Sequence, residues 1–289
     1  TEHIANLQVN TPQLDDSEVE QLTYDAAASE YAAGGSGRKL VQYVENYPDG
    51  KYVAQALRDI AEYQFSDENR PDDALQTIET LLKKRPYAQQ VPGALLLKAQ
   101  ILEEAYPNRT DEILRTYREV EKRGGSAYSA YAWAGIMRHT ADAAERLEYA
   151  RKVREAGGLD SDILDEARYY EAVGMLADGS DVQEAVAALK SLAESPQSLA
   201  GSRAAVALGE YYLGEKQYKK AIEVLSAFTD SGTPHEYWLA RGYIALADAY
   251  RASGKKQLAL EYIRSLKDNY PGDDQDIAEM INKRLKSWK

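Results

Sequence analysis

The sequence has no cysteine among its 289 residues, and it has only three histidines. Without thiols it can form no disulfide, no cysteine-ligated zinc or iron–sulfur site and no thiol nucleophile. His3, His139 and His235 are far apart, and no HExxH motif is present. We expect each histidine to be structural or solvated, so the sequence predicts no metal site and no cofactor.

Long apolar runs and a surplus of positive charge are also missing. The longest apolar candidate, 93–102, is interrupted by Lys98 and Gln100 and is far shorter than the roughly 18 residues of a membrane-spanning helix. The 35 basic and 47 acidic residues leave a net charge of −12, which disfavours phosphate backbones and anionic lipids. We therefore expect no nucleic acid and no direct membrane insertion, while the 44% hydrophobic content suffices for a packed core.

Two short segments invite a chemical interpretation that their spacing does not support. Residues 34–39 (GGSGRK) lack the GxxxxGK[ST] pattern of a phosphate-binding loop, and no predicted strand precedes them. Residues 272–276 (GDDQD) lack the spacing of a calcium-binding EF-hand loop, and their carboxylates suit the start of a helix. No Ser/His/Asp constellation is readable, so we expect no enzyme, no catalytic residue and no small-molecule substrate.

Turn-forming residues recur at a regular distance along the chain. They are 33 to 39 residues apart, at Pro48, Pro86, Gly124, Gly157, Pro196, Pro234 and Pro271. Between them the apolar residues follow helical spacing, as Ala221, Leu225 and Phe228 do. Two helices and two short turns fill such an interval, so the sequence predicts an all-α chain built of about seven helix hairpins.

The predicted hairpins follow an extended lead-in over 1–16 and occupy 17–271. Their helices are expected at 17–33 and 36–47, 51–66 and 70–85, 91–105 and 109–123, 126–139 and 141–156, 160–178 and 181–194, 197–213 and 215–230, and 235–253 and 255–269. Capping boxes are predicted at 17–20 (SEVE) and 233–236 (TPHE). The chain begins with Thr1 and not with Met, so either a leader has been removed or the chain is a piece of a longer protein, and the piece is the favoured expectation.

The segment 272–289 is expected to form a C-terminal capping helix. Its helix, predicted at 274–288, carries one apolar stripe, formed by Ile277, Met280, Ile281, Leu285 and Trp288. Such a stripe can cover the open flank of the last hairpin, since a repeat array needs a polar outer surface at its end. A detachable docking helix is the alternative interpretation.

The last interval shows a pattern of small and bulky side chains: Tyr243, Leu246, Ala247, Tyr250, Gly254, Ala259, Ile263 and Leu266, closed by Pro271. This pattern resembles the tetratricopeptide repeat, and the preceding interval resembles it nearly as well. The resemblance implies a right-handed superhelical solenoid of antiparallel hairpins. The stretch 232–241 (GTPHEYWLAR) also resembles the C-terminal part of long bacterial cell-envelope members of the family. That second resemblance implies a location in the cell envelope, in the periplasm. The cytoplasm is the alternative location.

In this family the first helices of the hairpins line an inner, concave groove that binds partners. Transferred position by position, the resemblance implies nine partner-binding residues: Asp59, Tyr63, Tyr170, Glu171, Arg203, Glu210, Arg241, Asp248 and Arg251. The Lys and Asn set with which some members clamp a C-terminal carboxylate is missing, because Val206, Glu210 and Ala245 occupy those places.

The resemblance therefore implies a non-enzymatic scaffold that binds a peptide or a partner protein in the groove. The alternative is a structural spacer or assembly subunit of a larger cell-envelope complex, which would use its outer face or its ends. An enzyme or sugar-binding module with an unrecognised site is a third hypothesis, and a deep closed pocket with converging carboxylates would favour it.

Overall fold

The computed structural model describes residues 15–288, apart from the side chain of Ser126. This part of the chain contains fifteen helices and no strand. They are α1 (Asp16–Ala32), α2 (Arg38–Asn46), α3 (Val53–Ser66), α4 (Pro71–Lys84), α5 (Val91–Ala105), α6 (Thr110–Arg123), α7 (Ser126–His139), α8 (Ala143–Ala156), α9 (Ser161–Asp178), α10 (Val182–Ala193), α11 (Leu199–Gly214), α12 (Tyr218–Thr229), α13 (Glu236–Ala252), α14 (Lys256–Asn269) and α15 (Gln275–Ser287). The predicted all-α class is confirmed. The lead-in predicted over 1–16 lies outside the described residues except for its last two, which begin α1.

The first helix starts earlier than its predicted capping box. Asp15 is the N-cap: its side chain accepts a hydrogen bond from Glu18 N at 2.8 Å, and Glu18 accepts one from Asp15 N at 2.9 Å. The box predicted between Ser17 and Glu20 is therefore wrong. Glu20 turns inward instead and accepts a hydrogen bond of 2.6 Å from the buried Tyr43 hydroxyl.

The box predicted at 233–236 is also wrong. Helix α13 begins at Glu236, and His235 is its N-cap. Thr233 is buried, and its hydroxyl oxygen lies 2.9 Å from that of Ser202 in the preceding hairpin. The Thr233 hydroxyl oxygen also accepts a hydrogen bond from His235 N at 3.2 Å, so it is shared between the helix start and a partner 31 residues away in the sequence.

The described helices form two compact units, one ending at Ala132 and the other beginning at Trp133. Consecutive helices pack against each other in chain order from α1 to α6 and from α8 to α15. Small residues allow close approach, as between α11 and α12, where a Cβ added to Gly209 would come within 2.7 Å of Leu225 Cδ1. Leu225 is fully buried, so there is no free space for that atom.

Helix α15 packs against both α13 and α14. Ile277 and Ile281 of its apolar stripe are buried together with Ile244 of α13 and Ile263 of α14. The stripe that the sequence analysis identified therefore faces the last hairpin, and the core of the second unit extends to the end of α15.

Successive odd-numbered helices of the second unit also contact each other: α9 contacts α11, α11 contacts α13, and α13 contacts α15. In the described part of this unit, successive even-numbered helices make at most marginal contact. The odd-numbered helices are therefore closer together than the even-numbered ones. This unit curves with its odd-numbered helices on the inside, which is how stacked hairpins create a concave surface.

Candidate partner-binding face

We call the side of the second unit that α9, α11, α13 and α15 form, together with Arg138 at the end of α7, the inner face. A row of arginine–carboxylate pairs follows it. Glu166 of α9 accepts a hydrogen bond from Arg138 at 2.6 Å and another from Arg203 of α11 at 3.3 Å. The Glu166 side chain is 15% exposed, so these pairs are screened by water less than surface pairs are. One carboxylate thus joins three odd-numbered helices.

Two further ion pairs continue the row. Arg241 of α13 donates to Glu210 of α11 at 2.8 Å. Arg284 of α15 donates two hydrogen bonds to Asp248 of α13, at 2.7 and 2.5 Å, and such a forked contact fixes the planes of both groups. Every step between neighbouring odd-numbered helices of this unit is therefore spanned by a charge-assisted hydrogen bond.

Aromatic side chains fill the space between these charges. The guanidinium groups of Arg203 and Arg241 lie 5.6 and 5.8 Å from the Trp238 ring, within the range of cation–π attraction. Arg203 also lies 5.9 Å from the ring of Tyr169. Burial raises the pKa of Tyr169 to about 12, so its hydroxyl is neutral at physiological pH. We call Tyr169, Arg203, Trp238 and Arg241 the arginine–aromatic cluster.

Two hydrogen-bond donors of this cluster are unused. The Nε atoms of Arg203 and Arg241 are buried, and the part of the chain that the structure describes offers them no acceptor. A buried donor without a partner costs about 1–3 kcal/mol. The cluster therefore contains two donors that its own unit leaves unsatisfied.

A cavity of about 490 Å³ lies beside the row of ion pairs. Arg138, Glu166 and Arg203 line it, together with His235 at the start of α13. The His235 Nε2 atom is 3.1 Å from the carbonyl oxygen of Gln197, which fixes the ring against the preceding loop. Because the cavity and the row share residues, a side chain that entered the cavity would contact the row.

Comparisons with known proteins bear on what such a face is for. A family model described as tetratricopeptide repeat matches residues 241–273, from within α13 to the segment after α14. A tetratricopeptide repeat protein from Parabacteroides merdae ATCC 43184 has a similar crystal structure, at 13% identity and a TM-score of 0.54, covering 92% of this chain and 98% of that one. PilW, described as a widely conserved type IV pilus biogenesis factor, is similar at 19% identity and a TM-score of 0.56, covering 82% of this chain and all of that one.

The chain therefore has the fold of tetratricopeptide repeat proteins, and its residues 241–273 match the family model itself. The family resemblance noted in the sequence is thereby confirmed, and at these identities the structural neighbours show the shared fold alone. No curated protein matches the chain by sequence. The tetratricopeptide repeat fold supports a protein-interaction scaffold in general, since stacked hairpins present an extended surface rather than an enclosed reaction centre.

Most of the partner-binding residues implied for the second unit lie on the inner face. Arg203, Glu210, Arg241 and Asp248 are members of the ion-pair row. The guanidinium of Arg251 lies 4.8 Å from the ring of Trp288, just after α15. These side chains are therefore held by neighbouring helices and are not loose on the surface.

Two neighbouring residues of α9 have different surroundings. Tyr170 adjoins the arginine–aromatic cluster, because its ring lies 5.9 Å from the Arg203 guanidinium. Glu171 is 8% exposed and pairs with Arg154 and with Arg151, at 3.4 Å in the second case, both on the even-numbered helix α8. The structure brings Tyr170 to the cluster and places Glu171 in the packing between α8 and α9.

Asp59 and Tyr63 belong to the first unit and form no part of the inner face defined above. Asp59 is 9% exposed and accepts hydrogen bonds from Gln55 at 2.9 Å and from Arg58 at 3.0 Å. The Tyr63 ring packs edge-on against Tyr31, with 6.2 Å between the ring centres. Within α3, the Asp59 carboxylate is already satisfied by its own helix.

Five residues of the inner face escaped the sequence reasoning, namely Arg138, Glu166, Tyr169, Trp238 and Arg284. The family positions do not include them, and Trp238 precedes the first position of its repeat. A signal was nevertheless available: the acidic and basic partners of the row are 28 to 37 residues apart, which is close to one repeat. Opposite charges spaced by one repeat on odd-numbered helices point to contacts between hairpins.

Other kinds of site are not evident in residues 15–288. No group of three or more His, Asp or Glu side chains there has the arrangement of a metal site. No helix in the same range combines the length and the apolar character that crossing a membrane requires.

Proposed function

We propose that this chain is a non-enzymatic scaffold that holds a peptide, or a segment of a partner protein, against the inner face of the second unit. The observation that carries the proposal is the arginine–aromatic cluster, in which two guanidinium groups flank Trp238 and keep unused donors. Tryptophan, tyrosine and arginine are the residues that most often dominate binding energy at protein interfaces.

The ion-pair row explains how such a surface would bind without a large entropic cost. Glu166 and Glu210 hold Arg203 and Arg241 from the neighbouring helices, so the arginines are positioned before a partner arrives. Side chains that are already ordered lose less freedom on binding. The partner would then gain hydrogen bonds and stacking contacts without having to order the surface.

The proposed binding residues combine the ones implied by the family with those the geometry adds. The first group consists of Tyr170, Arg203, Glu210, Arg241, Asp248 and Arg251, and the second of Tyr169 and Trp238. Asp59 and Tyr63 remain a separate proposal for the first unit. Glu171 remains the least supported of the nine, because its carboxylate is occupied by α8.

The cellular setting is a proposal as well. PilW is described as a type IV pilus biogenesis factor, and the stretch 232–241 resembles envelope proteins of the family. Both favour an envelope, periplasmic location for this chain. The alternative function, a structural spacer or assembly subunit of an envelope complex, would use the outer face or the ends of the array instead of the arginine–aromatic cluster.

Photo-crosslinking from two surfaces separates the two functions. A photoreactive residue at Tyr170, beside the cluster, should capture a defined partner in cells, and the same residue at the exposed Lys219 of α12 should not. Trp238→Ala should reduce the Tyr170 adduct about tenfold or more, as truncation of a central hot spot does. Adducts that form at Lys219 only, or that persist unchanged in Trp238→Ala, would favour the spacer function.

Several residues of the inner face also hold neighbouring helices together, and this limits which variants can test binding alone. Alanine at Arg241 or Asp248 breaks an ion pair between helices, so lost binding could reflect altered packing. Trp238 is only partly buried and forms none of those pairs. Circular dichroism of Trp238→Ala should match that of the parent chain, which makes it the cleaner test.

A further inference from the structure

Helix α1 packs far less than the other helices of the first unit. All of it is described, and among its 17 residues only Ala27 is buried. Helix α3, with 14 residues, buries seven. A long helix with so little buried surface has a whole side available for another contact.

The outward side of α1 carries three apolar side chains and one serine. Val19, Leu22, Ala26 and Ser29 follow each other at intervals of three, four and three residues, and all four are exposed. The exposed fractions of Val19 and Leu22 are 41% and 55%. At about 100° per residue these four side chains lie within about 80° of one another, and the centre of this stripe is about 120° from Ala27. We call them the α1 stripe.

The other terminal helix of the described chain looks different. The exposed residues of α15 are mostly polar, including Gln275, Asp276, Asn282, Lys283 and Lys286. A polar outer surface is what the end of a repeat array needs in water. The α1 stripe lacks that property, and its intervals alternate in the manner that favours packing against a second helix.

The charges that flank the stripe indicate the nature of that second helix. Helix α1 contains five acidic residues and neither lysine nor arginine. By helical position, Glu18 and Asp25 lie along one side of the stripe, and Asp16 and Glu30 along the other. Glu30 is paired with Lys39, whereas no ion pair reaches Asp16 or Asp25 in residues 15–288.

We propose that the α1 stripe docks an amphipathic helix of a partner protein whose apolar side is flanked by lysine or arginine. The apolar stripe supplies contact area, and the acidic flanks select the cationic partner. A second copy of this chain would bring like charges together along both flanks, and an anionic membrane would be repelled in the same way. This docking does not depend on the inner face of the second unit, so either proposal can fail alone.

Three synthetic helical peptides test the proposal directly. They share one stripe of leucine and alanine and differ only in their flanking residues, which are lysine, glutamine or glutamate. Fluorescence anisotropy with the whole chain should show the lysine peptide binding about tenfold or more tightly than the glutamine peptide, and no binding of the glutamate peptide. Equal binding of all three peptides, or no binding of the lysine peptide, would overturn the proposal.

Two substitutions locate the binding. Leu22→Asp should weaken the lysine peptide about tenfold or more, and Asp25→Lys should weaken it by a smaller factor. Leu199→Asp is the matched control, since Leu199 is 41% exposed at the start of α11, and it should leave the affinity unchanged. Unchanged circular dichroism shows that a variant is folded. If Leu22→Asp and Leu199→Asp have the same effect, the α1 stripe is not the docking surface.

The oligomeric state gives a further test of the chosen partner. Sedimentation at low and high salt should show the chain as a monomer, because the acidic flanks oppose self-association. A dimer that Leu22→Asp dissociates would mean that a second copy covers the stripe, and the proposal of a cationic partner would then be wrong.

Discussion

The odd-numbered helices of the two units are joined by different chemistry. In the first unit, Tyr31 of α1 contacts Tyr63 of α3, and the amide of Gln90 donates to Gln55 of α3 at 3.2 Å. In the second unit, the equivalent steps are spanned by arginine–carboxylate pairs, as between Glu210 and Arg241. One fold therefore tolerates neutral and charged contacts at the same kind of position.

The difference separates what the fold needs from what a binding surface needs. A neutral aromatic or amide contact packs two helices together without any cost of removing charge from water. A half-buried ion pair bears that cost, and its net contribution to stability is small unless its geometry is good. The charges of the second unit are thus poorly explained by stability alone, which is a reason to seek their role in recognition.

The largest expected effect concerns the feature that the units share, namely a core of fully buried aliphatic side chains. Ile78 of α4 and Leu225 of α12 both have no exposed surface. Replacing either with alanine should cost about 2–5 kcal/mol of unfolding free energy, because each change leaves a cavity. Urea denaturation of Ile78→Ala and Leu225→Ala measures this. A cost well below 1 kcal/mol for one of them would mean that the two cores are not alike.

A smaller effect should distinguish the two kinds of contact. Glu166→Gln leaves two arginines beside a neutral amide and should cost about 1–3 kcal/mol, whereas Gln90→Ala removes one neutral hydrogen bond, the one to Gln55, and should cost about 0.5–1.5 kcal/mol. Hydrogen exchange of the amides in α9 and α3 reports each loss. Raising the salt concentration to about 1 M should reduce the cost of Glu166→Gln and leave that of Gln90→Ala unchanged. A loss at α9 that salt does not alter would contradict the charged nature of this contact.

The smallest expected difference concerns alkaline pH. Burial is the main cause that raises the pKa of Tyr24 and Tyr31 in the first unit, and of Tyr169 in the second, to about 12. An unfolded tyrosine titrates near pH 10. Between about pH 10 and 12 the unfolded chain therefore binds fewer protons than the folded one, and stability falls as pH rises.

Phenylalanine substitutions test this pH dependence. Tyr169→Phe should remove the contribution of one tyrosine to the decrease in unfolding free energy above about pH 10. The double variant Tyr24→Phe/Tyr31→Phe should remove the contributions of two. Chemical denaturation between about pH 8 and 11 measures the slopes. Parent-like slopes in all variants would show that these hydroxyls titrate as they do in water.

The helices were predictable from the sequence, and the contacts between hairpins were not. Proline and glycine at regular intervals, with helical apolar spacing between them, indicated every helix to within a few residues. The capping boxes predicted at the starts of α1 and α13 were wrong because Glu20 and Thr233 bind side chains from elsewhere in the fold. Local rules judge a residue against its neighbours in the sequence and ignore such distant partners.

The candidate site was predictable in part for the same reason. Family positions identified Arg203, Arg241 and Asp248, because the side of each odd-numbered helix follows from its repeat. They missed Trp238 and Glu166, since the spacing between adjacent hairpins decides which side chains reach the neighbouring helix. The partners of Glu171 could not be predicted from the family positions either, because they lie on the neighbouring helix α8.

The central claim is that the inner face of the second unit binds the photo-captured partner. Hydrogen–deuterium exchange of the complex with that partner tests this claim most directly. We predict slower exchange in α9, α11 and the first half of α13 on binding, and no such change in the Trp238→Ala variant. Slower exchange confined to the even-numbered helices α10, α12 and α14 would contradict the claim.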